Sequence, residues 1–330
     1  MGLLRFSFAV AVVYFHLARH IMAGPLAVHG FFILSGYVIS LVSSEIYHNG
    51  WRGKYYFLAN RITRVWPTYL VCLLVSLGCI YATGFTARRY HHALFLPISP
   101  YGWLVQFSIV GLSGFHAPFP TRLLPPAWSL STELAYYFVI GVVTGKSKFL
   151  TTAGFFLAML VAAAMWLRPL SFASSYFSVY GPALVFFTGS MFYHYRASFE
   201  KLRLTNPWIL VGLANIVLYA AEDLKNYLPL FHYVAVCCLG YIIMCLHLEF
   251  PGRKPSPFDQ FLADVTYPVF LLHWPIAAAV CYYGFGDYHL GLNVFVPSLL
   301  FSLAAGGLIV FAVEMPCKKL RSYFRRRAMS

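Results

Sequence analysis

Ionisable side chains lie inside long apolar stretches of this sequence, where a lipid environment disfavours them. Arg5 and His16 are eleven residues apart in the first stretch, a spacing that returns to nearly the same helix face about 16 Å farther along the axis. Each such group costs about 2.5 kcal/mol or more to insert, so it needs a partner, a water-filled cavity or a function. Because imidazole titrates near neutral pH, His16 is a candidate for proton transfer.

A carboxylate and a hydroxyl open another apolar stretch, in PPAWSLSTELAYYF. Ser129 and Glu133 are one helical turn apart, so their side chains share a face. An acid this far inside a membrane helix is costly unless it pairs with a cation or a histidine. Glu133 is therefore the second candidate site residue, and we expect it in the outer half of the membrane together with His16.

Two arginines precede a third apolar stretch, in NRITRVWPTYL. Arg61 and Arg64 are three residues apart and share a helix face, which presents two planar guanidinium groups beside the membrane. Such groups bind phosphate oxygens in a bidentate manner. The alternative is that they only anchor the chain on the cytoplasmic side.

Two late polar residues complete the set. His273 lies midway along ADVTYPVFLLHWPI, and Pro275 after it removes a backbone hydrogen bond and kinks the helix, which can open a polar cavity beside the histidine. Glu314, in FAVEMP, is expected to pair with a neighbouring Lys or Arg. His16 and His20 are spaced to present two imidazoles to one metal ion, but no acidic or Cys ligand accompanies them, so no metal site is predicted.

The elements that position these residues are membrane helices. With 60% hydrophobic and 10% charged residues and a mean hydropathy of +0.69, a chain of 330 residues has too little polar surface for a soluble globule. We predict an all-α integral membrane protein, a single domain over 1–330, with about ten transmembrane helices and a possible re-entrant segment at 100–112. The predicted spans are 3–20, 27–44, 65–83, 128–145, 150–167, 178–195, 207–221, 230–248, 263–284 and 292–313.

The basic residues orient this arrangement. Most of the 24 Lys and Arg residues fall in segments that are cytoplasmic if both termini face the cytoplasm, as the positive-inside rule requires. A basic face against anionic inner-leaflet lipids then explains the net charge of +14, including the tail KKLRSYFRRR, and no nucleic acid is needed. The seven cysteines show no metal-binding spacing and are read as small core residues.

Two longer outer loops, 84–99 and 113–127, are rich in His, Pro and aromatic residues. Such loops either cover a binding site or simply collect these residues at the membrane interface. The sequence leaves both interpretations open, because ordered loops outside the membrane are often but not always functional.

Six motifs of this sequence resemble those of a known family. In chain order, LRFSFAVAVVYFH, GFFILSGYVIS, NRITRVWPTYL, PAWSLSTELAYY, VTYPVFLLHWPI and VEMP are similar to motifs of the acyltransferase-3 family of ten-helix membrane acyltransferases, which includes bacterial O-antigen, exopolysaccharide and Nod-factor O-acetyltransferases. Two positions depart from its pattern. His29 stands where relatives usually have an acid before FFxLSG, and Leu134 follows Glu133 where a second acid is common.

The resemblance implies transfer of an acyl group, usually acetyl, from cytoplasmic acyl-CoA to a hydroxyl of an extracytoplasmic or lipid-linked glycan at the bacterial inner membrane. Acyl-CoA is then a donor substrate, and no permanently bound cofactor is expected. A rival interpretation is a proton-coupled secondary transporter with a His/Glu relay, although no internal repeat supports it.

Within the acyltransferase hypothesis each candidate has a role. Arg61 and Arg64 hold the CoA phosphates, and His16 is the general base. Glu133 orients or charge-balances His16, as a carboxylate does in a catalytic triad. The supporting residues are Arg5 and His273, which line the donor path or stabilise the thioester oxyanion, and Ser129. Direct transfer and a covalent acyl-enzyme on His or Ser are both compatible with these residues.

Overall fold

The computed structural model describes residues 2–18, 23–115, 117–166, 176–201, 236–242 and 256–329. Within these ranges the chain is helical apart from turns, loops and an isolated bridge between Gly114 and Ser178. The helices are α1 (Gly2–Ala18), α2 (Ala23–Glu45), α3 (Gly50–Ala82), α4 (Pro100–Ser108), α5 (Trp128–Phe138), α6 (Lys148–Trp166), α7 (Ala183–His194), α8 (Arg196–Lys201), α9 (Pro257–Gly284), α10 (Leu292–Ile309) and α11 (Met315–Met329). Helix α5 continues as π-helix over Val139–Thr144, and Val310–Glu314 joins α10 to α11 in the same form.

Several of these helices have the length and composition of membrane spans. In the described ranges the candidates are Gly24–Glu45, Gly50–Ala82, Lys148–Met165, Pro257–Gly284 and Leu292–Met329. The all-helical, multi-pass character is thus confirmed for the described part of the chain. The predicted span 207–221 lies outside it, and 230–248 is described only at 236–242. The count of ten spans and the orientation in the membrane stay predictions.

Helix α3 begins much earlier than hydropathy indicates. The predicted span starts at residue 65, whereas the helix runs unbroken for 33 residues from Gly50, so that Arg61 and Arg64 lie on the helix itself. Its polar first half is supported by α11, since the Asn60 side-chain amide donates a hydrogen bond to the Arg321 carbonyl over 3.0 Å. Hydropathy detects only the apolar part of a helix, while helix propagation needs only continued hydrogen bonds and packing.

A close helix crossing explains the glycine in GFFILSGYVIS. A Cβ at Gly36 of α2 would lie 2.0 Å from the Phe186 carbonyl oxygen, and a Cβ at Gly189 of α7 would lie 2.1 Å from the Ile33 carbonyl oxygen. Small residues at these points let the two backbones touch, as is common between membrane helices. The crossing fixes α2, which lines the site described below.

Helices α1 and α9 run parallel and in register. The Gly2 amide donates to the Asp259 carboxylate over 3.1 Å at one end, and the rings of His16 and His273 meet near the other. Both pairs are separated by 257 positions in sequence. The end with Gly2 and Asp259 is called the terminal end, because Lys318 of α11 also contacts α9 there, and the opposite end is called the loop end.

Helix α4 begins at the loop end and runs beside α3 toward the terminal end. The Trp66 indole N–H donates to the Phe107 carbonyl over 2.8 Å, and the Tyr69 hydroxyl donates to the Gln106 carbonyl over 2.7 Å. Tyr69 is thirteen residues before the end of α3 at Ala82, or about 20 Å along the axis. The chain then returns toward α5, which is the geometry expected of a re-entrant segment.

Candidate functional site

Two cavities open among α1, α2, α5 and α9. The larger, about 500 Å³, is called the histidine cavity, and its aromatic and ionisable lining comprises Phe15, His16, His91, His92, Arg122, Trp128, Tyr176, Phe177, Phe270 and Trp274. The smaller, about 120 Å³, also borders α3 and is called the arginine cavity; its polar lining comprises Arg5, Ser35, Arg61, Arg64, Ser129, Glu133, Tyr137, Asp264, Thr266, Tyr267 and Glu314. Val28 and Phe270 line both cavities and so mark the apolar partition between them.

His16 and His273 form a histidine pair at the histidine cavity. Nδ1 of His16 lies 2.9 Å from Nε2 of His273, and Nδ1 of His273 lies 2.7 Å from the Phe270 carbonyl oxygen. A carbonyl only accepts, so in a neutral pair His273 carries its proton on Nδ1, and its Nε2 accepts from His16 Nδ1. The hydrogen-bond network therefore leaves Nε2 of His16 unprotonated, on a side chain that lines the cavity.

The two longer loops, 84–99 and 113–127, form part of the cavity wall. His91 and His92 come from the loop 84–99, and Pro118 and Arg122 from the loop 113–127. The Arg122 backbone N–H donates to the Ala93 carbonyl over 2.9 Å, which ties the two loops together. The hypothesis that these loops cover a binding site is consistent with the structure, since both loops contact the same cavity as His16.

Burial shapes the electrostatics of these loops. It lowers the pKa of His91 well below its usual range, and the neighbouring His92 and Arg122 lower it further. Burial also lowers the pKa of Arg122 to about 10, which still leaves its guanidinium charged at neutral pH. The loop wall therefore presents a permanent cation beside neutral imidazole.

The arginine cavity gathers three guanidinium groups. Neither Arg5, Arg61 nor Arg64 forms a salt bridge with any described carboxylate. The Arg61 guanidinium lies 5.4 Å from the ring centres of both Phe57 and Tyr137, and its buried Nε has no hydrogen-bond partner among the described residues. Such a cluster of unneutralised donors suits an anionic ligand.

Glu133 lies with these arginines and not with His16, which corrects the expected arrangement. Its carboxylate accepts hydrogen bonds from the Ser35 hydroxyl over 2.5 Å and from the Tyr137 hydroxyl over 2.9 Å. In the described residues no hydrogen bond joins it to His16. The reason is depth along α5, because Trp128 borders the histidine cavity and Glu133 follows five residues later, about 7.5 Å nearer the terminal end.

Two other acids at the arginine cavity have cationic partners. Glu314 is buried, pairs with Arg321 over 3.0 Å and accepts a hydrogen bond from the Thr68 hydroxyl over 2.7 Å. The expected pairing of Glu314 with a nearby cation is confirmed. Asp264 bonds to Lys318. These acids are neutralised by α11, so Glu133 is the remaining described carboxylate of this cavity beside three arginines.

The structure separates the predicted site residues into two groups. The group at the arginine cavity is Arg5, Arg61, Arg64, Ser129 and Glu133. His16 lies at the histidine cavity, and Arg5 and His16 both face inward as their spacing predicts. His273 was expected to line the donor path or to stabilise the thioester oxyanion; it lies fully buried behind His16 and lines neither cavity, because α1 and α9 are in register.

Sequence reasoning missed several lining residues. Tyr137 follows Glu133 by one turn, a signal that helical periodicity offered. Ser35 and Arg122 carry no comparable signal, since their partners are distant in sequence or are backbone carbonyls. In the part of the chain that the structure describes, no three His, Cys, Asp or Glu side chains are close enough to hold a metal ion, and His20 lies outside it.

The helices and the internal cavities define a multi-pass membrane protein with a site enclosed among its helices. A family model described as an acyltransferase domain matches residues 1–313. The chain belongs to the acyltransferase-3 family, as the motif resemblance predicted, and is a membrane acyltransferase. It is also 33% identical over 153 residues to "Protein 2 in picA locus" of Rhizobium radiobacter, a match that covers 42% of this chain and 78% of that protein. No solved structure matches the chain.

Proposed function

We propose that this protein transfers an acetyl group from acetyl-CoA to a hydroxyl group of a glycan, at or outside the outer face of the bacterial inner membrane. The observation that carries this proposal is the histidine pair, whose hydrogen bonds leave His16 Nε2 free to accept a proton inside the 500 Å³ histidine cavity. A cavity of this size falls within the range of about 300–1,000 Å³ found for small-molecule sites. We assign it to the acceptor.

The donor is assigned to the arginine cavity. Three guanidinium groups without a carboxylate partner in the described residues suit the phosphates of CoA, which bind arginine in a bidentate manner. The thioester then reaches toward His16 across the partition of Val28 and Phe270, which both cavities share.

The reaction follows from these positions. His16 Nε2 takes the proton of the acceptor hydroxyl as the oxygen attacks the thioester carbonyl, and collapse of the tetrahedral intermediate breaks the C–S bond. The CoA thiolate leaves and takes up the proton that His16 accepted from the hydroxyl, which returns His16 to its neutral form. His273 holds the His16 ring and its tautomer through the Nδ1 contact, a positioning role that a carboxylate has in many acyl-transfer enzymes.

Replacing His16 tests the base assignment. Because general base catalysis contributes about 10²–10⁴-fold, His16→Ala should lower transfer of labelled acetyl from acetyl-CoA by that factor while acetyl-CoA binding is retained. The matched control is His48→Ala, which removes an exposed histidine that lines neither cavity. A His16→Ala protein that inserts normally and acetylates the acceptor at the parental rate overturns the assignment.

The acceptor and the acyl group are identified by mass. A surface glycan from a strain without this protein should be lighter than the parental glycan by a constant mass. That mass is 42 Da per acetyl group, because acetyl replaces a hydroxyl hydrogen. Reconstituted vesicles should form acetylated acceptor from acetyl-CoA. Uptake of a solute without acetylation would favour the transporter interpretation instead.

A further inference from the structure

We propose that the histidine cavity binds an acceptor saccharide that carries an anionic group, a carboxylate or a phosphate, and that Arg122 binds this group. The inference rests on the proposed function, because it names the class of acceptor at that same site. Its evidence is the position of Arg122, the absence of a described counterion and the aromatic walls around it.

Arg122 is rigidly held at the cavity. Its side chain is buried, with 4% of the residue exposed, and it lines the histidine cavity. Its Nε donates to the Pro125 carbonyl over 3.1 Å, and one terminal nitrogen donates to the Phe119 carbonyl over 2.5 Å. These bonds orient the guanidinium but use only part of its five N–H donors.

The charge of Arg122 has no counterion in the described part of the chain. No described Asp or Glu lines the histidine cavity, and the ionisable groups that share it are His16, His91, His92 and the phenol of Tyr176. Arg122 is in no salt bridge with a described residue, whereas Lys318 and Arg321 each have a carboxylate partner. A buried guanidinium that bonds only to carbonyls keeps its charge uncompensated, and this arrangement is costly unless an anion completes it.

The walls opposite this charge suit a sugar ring. Trp128, Tyr176 and Trp274 line the same cavity, and His91 packs edge-on against Trp274 with ring centres 4.5 Å apart. The C–H face of a pyranose packs on such rings, whose amphipathic bodies tolerate nearby polar groups. A cation beside aromatic walls and a general base therefore matches an acidic saccharide with a free hydroxyl.

The alternative is that Arg122 only clamps the loop 113–127. Its two carbonyl bonds and the contact between its own N–H and Ala93 support a structural contribution. A clamp would affect neutral and anionic ligands equally. The ratio of their affinities is therefore the quantity that separates the two roles.

The experiment measures binding to the purified full-length protein in lipid nanodiscs, without acyl donor. The probes are methyl glucuronide, glucose 1-phosphate and methyl glucoside. Their binding is measured by tryptophan fluorescence, because Trp128 and Trp274 line the cavity. We expect at least one anionic probe to bind about tenfold or more tightly than methyl glucoside, since a charge-assisted hydrogen bond contributes about 1.5–3 kcal/mol. The two anionic probes distinguish a carboxylate from a phosphate as the recognised group.

The variant Arg122→Gln should bind the anionic probes no better than methyl glucoside. Arg122→Lys should retain part of the preference, and it serves as the second variant if the Gln protein does not fold. The matched control is Arg89→Gln, which removes an exposed arginine of the neighbouring loop that does not line the cavity. Equal binding of all probes, no binding of any probe, or a preference that survives Arg122→Gln overturns the proposal.

These outcomes are independent of catalysis. Acetylation of a neutral glycan without anion preference would overturn the role of Arg122 and leave the proposed function intact. Anion preference in a protein that transfers no acyl group would overturn the proposed function alone.

Discussion

The arginine and histidine cavities are neighbours on the same helices, yet their chemistry differs. The first gathers guanidinium groups, which stay charged at all physiological pH values and cannot exchange protons. The second gathers imidazoles, whose ring nitrogens can accept or donate a proton, together with aromatic rings and the single guanidinium of Arg122. The contrast indicates that the arginine cavity is suited to hold several anionic groups, whereas the histidine cavity combines one cation with a group that can move a proton.

The partition between them is thin and apolar. Val28 of α2 and Phe270 of α9 contribute to both cavities, and the rings of Phe31 and Phe270 pack edge-on with centres 5.9 Å apart. A reaction that joins a ligand from each side must occur at this level. Three predictions test whether the two cavities act as separate donor and acceptor sites.

The largest effect is expected from Arg61→Ala with Arg64→Ala. Two charge-assisted contacts of about 1.5–3 kcal/mol each correspond to a loss of about 10²–10⁴-fold in acetyl-CoA affinity. The measurement is equilibrium binding of labelled acetyl-CoA to the protein in nanodiscs. The control is Arg52→Ala, which removes an exposed arginine of the same helix and preserves most of the positive charge at the terminal end. Unchanged affinity would show that Arg61 and Arg64 are only topology anchors.

An intermediate effect is expected from Val28→Phe, which enlarges a buried side chain in the partition. Misplacing the thioester by about 1 Å costs up to about 100-fold in rate, so kcat should fall by about 10–100-fold while the affinity for each substrate alone is retained. Single-turnover transfer and separate binding titrations measure the two quantities. Val296→Phe on the partly exposed face of α10 is the control. Normal turnover in the Val28→Phe protein would contradict transfer across the partition.

The smallest effect is expected from Glu133→Gln. Because Glu133 lies among arginines, loss of its charge should lower the KM for acetyl-CoA, by about tenfold or less, through reduced repulsion of the donor phosphates. The pH profile of kcat should be unchanged, since no hydrogen bond joins Glu133 to His16 in the described residues. Glu45→Gln, a change at an exposed acid, is the control. A fall of several orders of magnitude in kcat at constant KM would instead restore Glu133 as the support of His16.

Local periodicity predicted part of this site. The eleven-residue spacing predicted that Arg5 and His16 face inward, and the one-turn spacing placed Ser129 with Glu133. The cost of a buried acid predicted a cation for Glu314, which is Arg321. Each of these relations lies within one helix or between near neighbours in the chain, where geometry is fixed by 3.6 residues per turn.

Contacts between distant helices escaped this reasoning. His16 meets His273 across 257 positions, and Glu133 accepts a hydrogen bond from Ser35 across 98. Spacing along the chain indicates which face of its helix a residue occupies. It does not indicate how far along the helix axis that residue lies relative to residues on another helix. For this reason the sequence did not show that Glu133 lies with Ser35 and the arginines, at a different level of the bundle interior from His16.

Sequence alone thus determined the membrane setting, the family and the inward faces of the site helices, because composition, motifs and helical periodicity are local properties. Tertiary structure alone decided that these residues divide between two cavities, that His273 fixes the tautomer of His16, and that the loop residue Arg122 is buried beside them. The physical reason is that helix register, set by contacts such as Gly2 with Asp259 and Gly36 with α7, determines which side chains share a level.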